Sequence, residues 1–154
     1  MSREFPQGLQ FPGGMQSNVS HRLACGGAGL RALLDAIEAQ LADGDAPAAV
    51  AAAVLIACDE IISNIVTHGG ADAGVEVDVR IGDGRVDVEV IDDGPPFDPT
   101  VAAAPDTDLA LEHRKMGGLG IYLVREMMDR IDYARRDGCN RLQFSKSFPP
   151  SLAS

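Results

Sequence analysis

Val75-Glu76-Val77-Asp78-Val79-Arg80-Ile81 alternates apolar and charged residues without a break, Asp83-Gly84 follows, and Val86-Asp87-Val88-Glu89-Val90 repeats the alternation on the way back. A period of two sends every second side chain to one face, so the two runs read as half-buried strands joined by a tight turn. Strand parity then carries a second message. Asp92 falls on the same face as Val86, Val88 and Val90, so a carboxylate stands at the inner end of an apolar strand.

Working outward from this hairpin, Leu30, Leu33, Leu34, Ile37 and Leu41 recur at three and four, the spacing of an amphipathic helix that Asp43-Gly44-Asp45 ends. Pro47 is placed as the first residue of a second helix, which runs through an alanine-rich stretch to about Thr67 and stops at Gly69-Gly70. Its expected buried stripe is Val50, Ala53, Val54, Ala57, Ile61 and Ile65. Val19, His21 and Leu23 alternate weakly, as a first edge strand would. Leu119 to Met128 reads as a helix, Ile131 and Tyr133 as a short strand, Asp137-Gly138 as a turn, and Leu142, Phe144 and Phe148 as a last strand. The fold class is α+β, a two-layer sandwich of a mixed, mostly antiparallel sheet with helices on one face. Residues 1–16 are expected to be a loose leader rich in Gly, Pro and Gln, residues 17–148 one domain, and residues 149–154 a tail.

With 154 residues, 45% of them hydrophobic, the chain is long enough to bury one real core. A formal net charge of −10 would repel a phosphate backbone, which disfavours nucleic acid as a direct partner. Cys25, Cys58 and Cys139 form no CxxC pair and read as reduced thiols of a cytoplasmic protein. No run approaches the roughly 18 apolar residues of a membrane span. His21, His68 and His113 are too scattered for a zinc site.

Three short blocks carry the chemistry. Glu60 and Asn64 stand four apart on the second helix and so project from one face at the rim of its apolar stripe; oxygen donors at this spacing suit Mg²⁺, which takes few protein ligands. Asp92, in Asp92-Asp93-Gly94-Pro95-Pro96-Phe97-Asp98, must be paired, protonated or reserved for a ligand donor, and the adenine amino group is the donor that fits. Gly94 would let a flat ring approach the backbone. Gly118-Leu119-Gly120 feeds an apolar helix whose N-terminal N–H groups and dipole suit an anion, with Arg114 and Lys115 adding positive charge. Taken alone, each block is more simply a structural feature: Glu60 and Asn64 a solvated helix edge, Asp92-Asp93-Gly94 a polar strand exit, and Gly118-Leu119-Gly120 a tight turn. Leu123 stands where a Rossmann fingerprint needs its third glycine, and there is no Walker sequence.

In this order, with a long proline-containing stretch between the second and third, the blocks resemble the N, G1 and G2 boxes of the GHKL ATPase superfamily. The D-x-G-x-x-F-D form of the second and Gly117-Gly118-Leu119-Gly120-Ile121-Tyr122-Leu123-Val124 resemble the bacterial anti-sigma factor serine/threonine kinases. The resemblance implies the Bergerat ATP-binding fold, ATP and Mg²⁺ as cofactors, Asn64 as Mg²⁺ ligand and Glu60 as general base. It further implies Asp92 on the adenine amino group, with Gly94, Lys115, Gly118, Leu119 and Gly120 lining the nucleotide and Asp98 to Met116 as the lid. The implied partners are an anti-anti-sigma protein of the STAS fold, which is phosphorylated, and a sigma factor, which is held; the implied assembly is a homodimer. Met116 and the Cys139-Asn140 pair depart from the family pattern, where a basic residue and a threonine are common. An ATP-binding anti-sigma switch with little kinase activity is the alternative.

Overall fold

The structure, a computed structural model, describes residues 17–23, 29–69, 74–82, 84–101 and 118–149. Five strands, β1 (Ser17–Leu23), β2 (Val75–Gly82), β3 (Arg85–Asp92), β4 (Arg130–Arg136) and β5 (Cys139–Ser147), form one sheet in the order β1-β2-β3-β5-β4. Each of its four pairings is antiparallel, as the expectation of a mostly antiparallel sheet required, and none of them is parallel. The hairpin is as read: Val79 faces Val88 and Val77 faces Val90, with Gly84 turning the chain at φ 77°. Asp137 and Gly138 both adopt positive φ in the two-residue turn between β4 and β5, the backbone twist that matches flanking strands.

Among the described residues three α-helices accompany the sheet: α1 (Leu30–Asp43), α2 (Ala48–Asn64) and α3 (Gly118–Met127). Leu33, Ile37 and Leu41 bury one stripe of α1, and Gly44 ends the helix against β2, where an added Cβ would stand 2.5 Å from Ile81 Cδ1. Pro47 is the residue before the first turn of α2 rather than within it, its carbonyl accepting from Ala51 N at 2.9 Å. The buried stripe of α2 is wider than the sequence suggested: Cys58 and Ile62 are buried, whereas Ala53 and Ile65 are only partly so. The α2 helix packs against α1, α3 and β5. A widened π turn, Ile65–Gly69, continues it.

The segment Ala48–Thr67 is long and apolar enough, at mean hydropathy 1.9, to cross a membrane, contrary to the expectation from the sequence. Alanines carry that hydropathy without forming an unbroken run of large apolar residues. In the fold Val50, Val54, Ile61 and Ile62 are buried in the core cluster, whereas Ile56 and Val66 of the same segment are exposed.

The inner face of the sheet is aliphatic: Val77, Val79, Ile81, Val86 and Val90 are at most 1% exposed. The outer face is polar yet also largely covered. Asp78, Asp87 and Glu89 are buried because neighbouring strands supply their partners: Ser20 Oγ donates to Asp78, Arg85 Nε lies 2.6 Å from Asp87 Oδ2, and Arg141 and Gln143 both donate to Glu89. Cross-strand pairing of this kind compensates the desolvation of each carboxylate. Asp87 nonetheless has its pKa raised, by burial first and against the pull of Arg85, Arg80 and Arg130.

Candidate functional site

Asp92 ends β3 on the inner, helix-bearing face and is buried. Its Oδ1 accepts two hydrogen bonds, from Gly94 N at 2.8 Å and from Asn140 Nδ2 at 3.1 Å. The first closes an Asx turn, which bends the chain off the strand at the point where Gly94 sits buried. The second follows from register, since Asp92 and Asn140 are direct partners across β3 and β5. Sequence reading thus located the inward carboxylate but missed what holds it.

Asn140 is a hub. Its Nδ2 also donates to Pro95 O at 2.8 Å, and its Oδ1 accepts from Phe97 N at 3.2 Å and Tyr133 Oη at 2.5 Å. Arg135 Nη1 donates to Gly94 O at 2.7 Å. Two strands, β4 and β5, therefore fasten the segment from Gly94 to Phe97 into one shape. No local pattern pointed to Asn140, because it meets Asp92 only through the register of β5 on β3.

Glu60 and Asn64 are half-buried on α2, Asn64 being its last helical residue before the π turn. Helical spacing keeps them on one face, and π turns recur where a helix must present groups to a ligand. Neighbouring Asp59 is exposed and accepts from Ser63 Oγ at 3.1 Å, which draws that pair to the solvent side. Cys58 is wholly buried, and burial, with Asp59 adding to it, pushes its thiol up to about 12. It is a core residue.

Gly118, Leu119 and Gly120 form the first turn of α3 instead of a loop preceding it. Backbone N–H groups of a first helical turn have no intrahelical acceptor, so an anion can take them. Val124 and Met128 are buried and anchor this segment beside α2. Lys115, Arg114 and the lid beyond Val101 lie outside the described residues. Within the described part of that segment, Asp98 Oδ1 accepts from Thr100 N at 2.8 Å and from Thr100 Oγ1 at 2.5 Å, opening a single 3₁₀ turn, Pro99–Val101.

An inward carboxylate at the end of β3, an amide and a carboxylate on α2, and a glycine-containing first turn of α3 packed against α2 are thus supplied from one side of the sheet. The donors on α2 are hard oxygen groups, and among the described residues no cluster of three His, Cys, Asp or Glu is placed to hold a metal. Such a set fits a Mg²⁺ whose shell is completed by phosphate and water, with Asn64 as the protein ligand.

Residues 27–146 match the family described as histidine kinase-like ATPase domain, and the chain belongs to that family. A serine/threonine-protein kinase, BtrW of Bordetella bronchiseptica, is 33% identical over 98 residues, which cover 62% of this chain and 69% of that protein. The resemblance to the GHKL kinases drawn from the three boxes is upheld by both comparisons, and a kinase-like ATPase domain is the activity class they support.

Proposed function

We propose that this chain is a Mg-ATP-dependent serine/threonine protein kinase of the anti-sigma type, which phosphorylates a small anti-anti-sigma partner of the STAS fold and, in its other role, binds a sigma factor. It would act as a homodimer in the cytoplasm. The observation that carries the reading is the buried Asp92, pinned on one oxygen by Gly94 and Asn140 at the inner end of β3, an arrangement suited to an adenine amino group. The name of the Bordetella relative supports the serine/threonine assignment.

Roles follow from placement. Asp92 binds the base, and the Gly118–Gly120 turn of α3 receives phosphate oxygens through backbone N–H groups. Asn64 holds the metal. Mg²⁺, when bound, would neutralise charge on the transferred phosphoryl group, the main requirement of such chemistry. Glu60, one helical turn before Asn64 and on the same helix face, would orient or deprotonate the attacking hydroxyl.

Incubation with radiolabelled ATP and a STAS-fold partner tests the proposal. Native chain should label the partner on serine or threonine, and Glu60→Ala should abolish labelling while calorimetry still detects ATP. Undiminished labelling by the variant would remove Glu60 as the base. No heat with ATP and magnesium at millimolar concentration would remove the nucleotide site itself.

A further inference from the structure

The Asn140 side chain makes four hydrogen bonds, two of them to the segment after β3, and the chemistry of its neighbours leaves one orientation. Pro95 O can only accept and Phe97 N–H can only donate, so Nδ2 faces Pro95 and Asp92 while Oδ1 faces Phe97 and Tyr133. An asparagine amide offers two donors and two acceptor lone pairs, and here all four are used inside the protein. Asn140 therefore has no group left for a ligand. Its effect on one must pass through Asp92.

Both hydrogen bonds that Asp92 accepts among the described residues fall on Oδ1. Two N–H donors on one oxygen fix the rotation of the carboxylate, since turning it would bring the same donors onto the other oxygen only after both bonds had broken. Oδ2 is thereby held as an acceptor of fixed direction. A ring amino group at purine position 6 satisfies such an acceptor, whereas an oxo group there presents lone pairs to a carboxylate. Sites built to accept from a substrate N–H discriminate strongly against the analogue without it.

We infer that Asn140, itself held by Tyr133, is a positioning residue that fixes Asp92 to read the 6-amino group of the base and so sets the preference for adenosine over inosine or guanosine triphosphate. The inference rests on the proposed ATP site. Tyr133 belongs to it because its hydroxyl donates to the lone pair of Asn140 Oδ1 that Phe97 N does not use, and without that bond the amide is held by three bonds instead of four.

The test compares ATP with inosine triphosphate, which carries an oxo group at position 6, by calorimetry in magnesium. The native chain should prefer ATP. Asn140→Leu, which keeps volume and removes all four bonds, should lower the ATP-to-inosine-triphosphate preference about tenfold or more, the loss expected when a charge-assisted hydrogen bond is no longer aligned. Tyr133→Phe leaves the core side of the ring untouched and should lower the same ratio several-fold, carrying the test if the Asn140 variant does not fold. Equal weakening of both nucleotides would mark the network as structural support alone and overturn the inference. So would a native ratio in Tyr133→Phe. A native chain that binds neither nucleotide overturns the ATP site as well.

Discussion

Asp92→Asn separates the two things the Asp92 carboxylate does. Oδ1 serves the fold, accepting from Gly94 N at 2.8 Å and Asn140 Nδ2 at 3.1 Å, and asparagine can keep both bonds through its own carbonyl oxygen. An amide flip is opposed because it would set an NH₂ against two donors. The other position changes from an acceptor to a donor, so the adenine amino group meets a second amino group. Losing a hydrogen bond to a charged acceptor costs about 1.5–3 kcal/mol, which at 1.4 kcal/mol per factor of ten weakens ATP binding by about tenfold to a hundredfold. On the fold side, two charge-assisted bonds become neutral ones, a loss of about 1 kcal/mol and about 3 °C in Tm. Calorimetry with ATP and magnesium, paired with thermal melts of the same preparation, measures both. Asp92→Ala supplies the contrast, since it leaves the buried donors of Gly94 and Asn140 without an acceptor and should cost more stability. A folded Asp92→Asn chain that bound ATP within about twofold of native would refute the assignment of Asp92 to the base.

Gly44→Ala should lower stability by about 1–3 kcal/mol in urea, because its Cβ would meet Ile81 Cδ1 at 2.5 Å and Cγ2 at 3.0 Å in a filled core; an unchanged midpoint would contradict that packing. Asp87 has a folded pKa raised above its ordinary 3.8, chiefly by burial, so from 3.8 up to that raised value the folded chain binds more protons than the unfolded and stability falls as pH rises through the window. Asp87→Asn should remove this fall in a urea series run upward from pH 3.8, and a slope identical to native would contradict it. Cys58, wholly buried and with its thiol pushed up to about 12, should resist alkylation at neutral pH until the chain unfolds; rapid labelling of Cys58 in the native protein, read by peptide mapping, would show that α2 does not pack as described.

The parts legible from sequence are those whose pattern is local. Alternation fixed β2 and β3 and hence the side of the sheet on which Asp92 lies, because parity needs only neighbours along one strand. Helical spacing likewise gave α1 and the pairing of Glu60 with Asn64 on one face. Asn140 was not readable as a partner of Asp92, since the two are 48 residues apart and meet only through the register of β3 on β5. The same limit hid the burial of Asp78, Asp87 and Glu89. Each stands at a position that alternation assigns to the outer face, and only the adjacent strands show that Ser20, Arg85, Arg141 and Gln143 meet them. The width of the α2 stripe was underestimated for a related reason: a helix that packs on α1, α3 and β5 at once buries more than one face, so Cys58 and Ile62 turn inward as well.

The inner sheet face is aliphatic along most of its length and polar at one end, and the difference has an energetic reading. A buried polar group left without a partner costs about 1–3 kcal/mol, so Asp92 and Asn140 together would be a heavy burden on a domain of this size. The network removes most of that cost by satisfying all of Asn140 and one oxygen of Asp92. Both bonds fall on Oδ1, which leaves Oδ2 as the atom that the inferred base would reach. The fold thus carries its polar end at low cost while keeping one oriented acceptor available to a ligand donor. On α2 the same economy holds in another form. Ala57 and Ile61 face the core while Glu60 and Asn64, three residues beyond Ala57 and Ile61 respectively, stand at its rim, so the packing that stabilises the helix also fixes the direction of the two side chains proposed to meet the metal and the attacking hydroxyl.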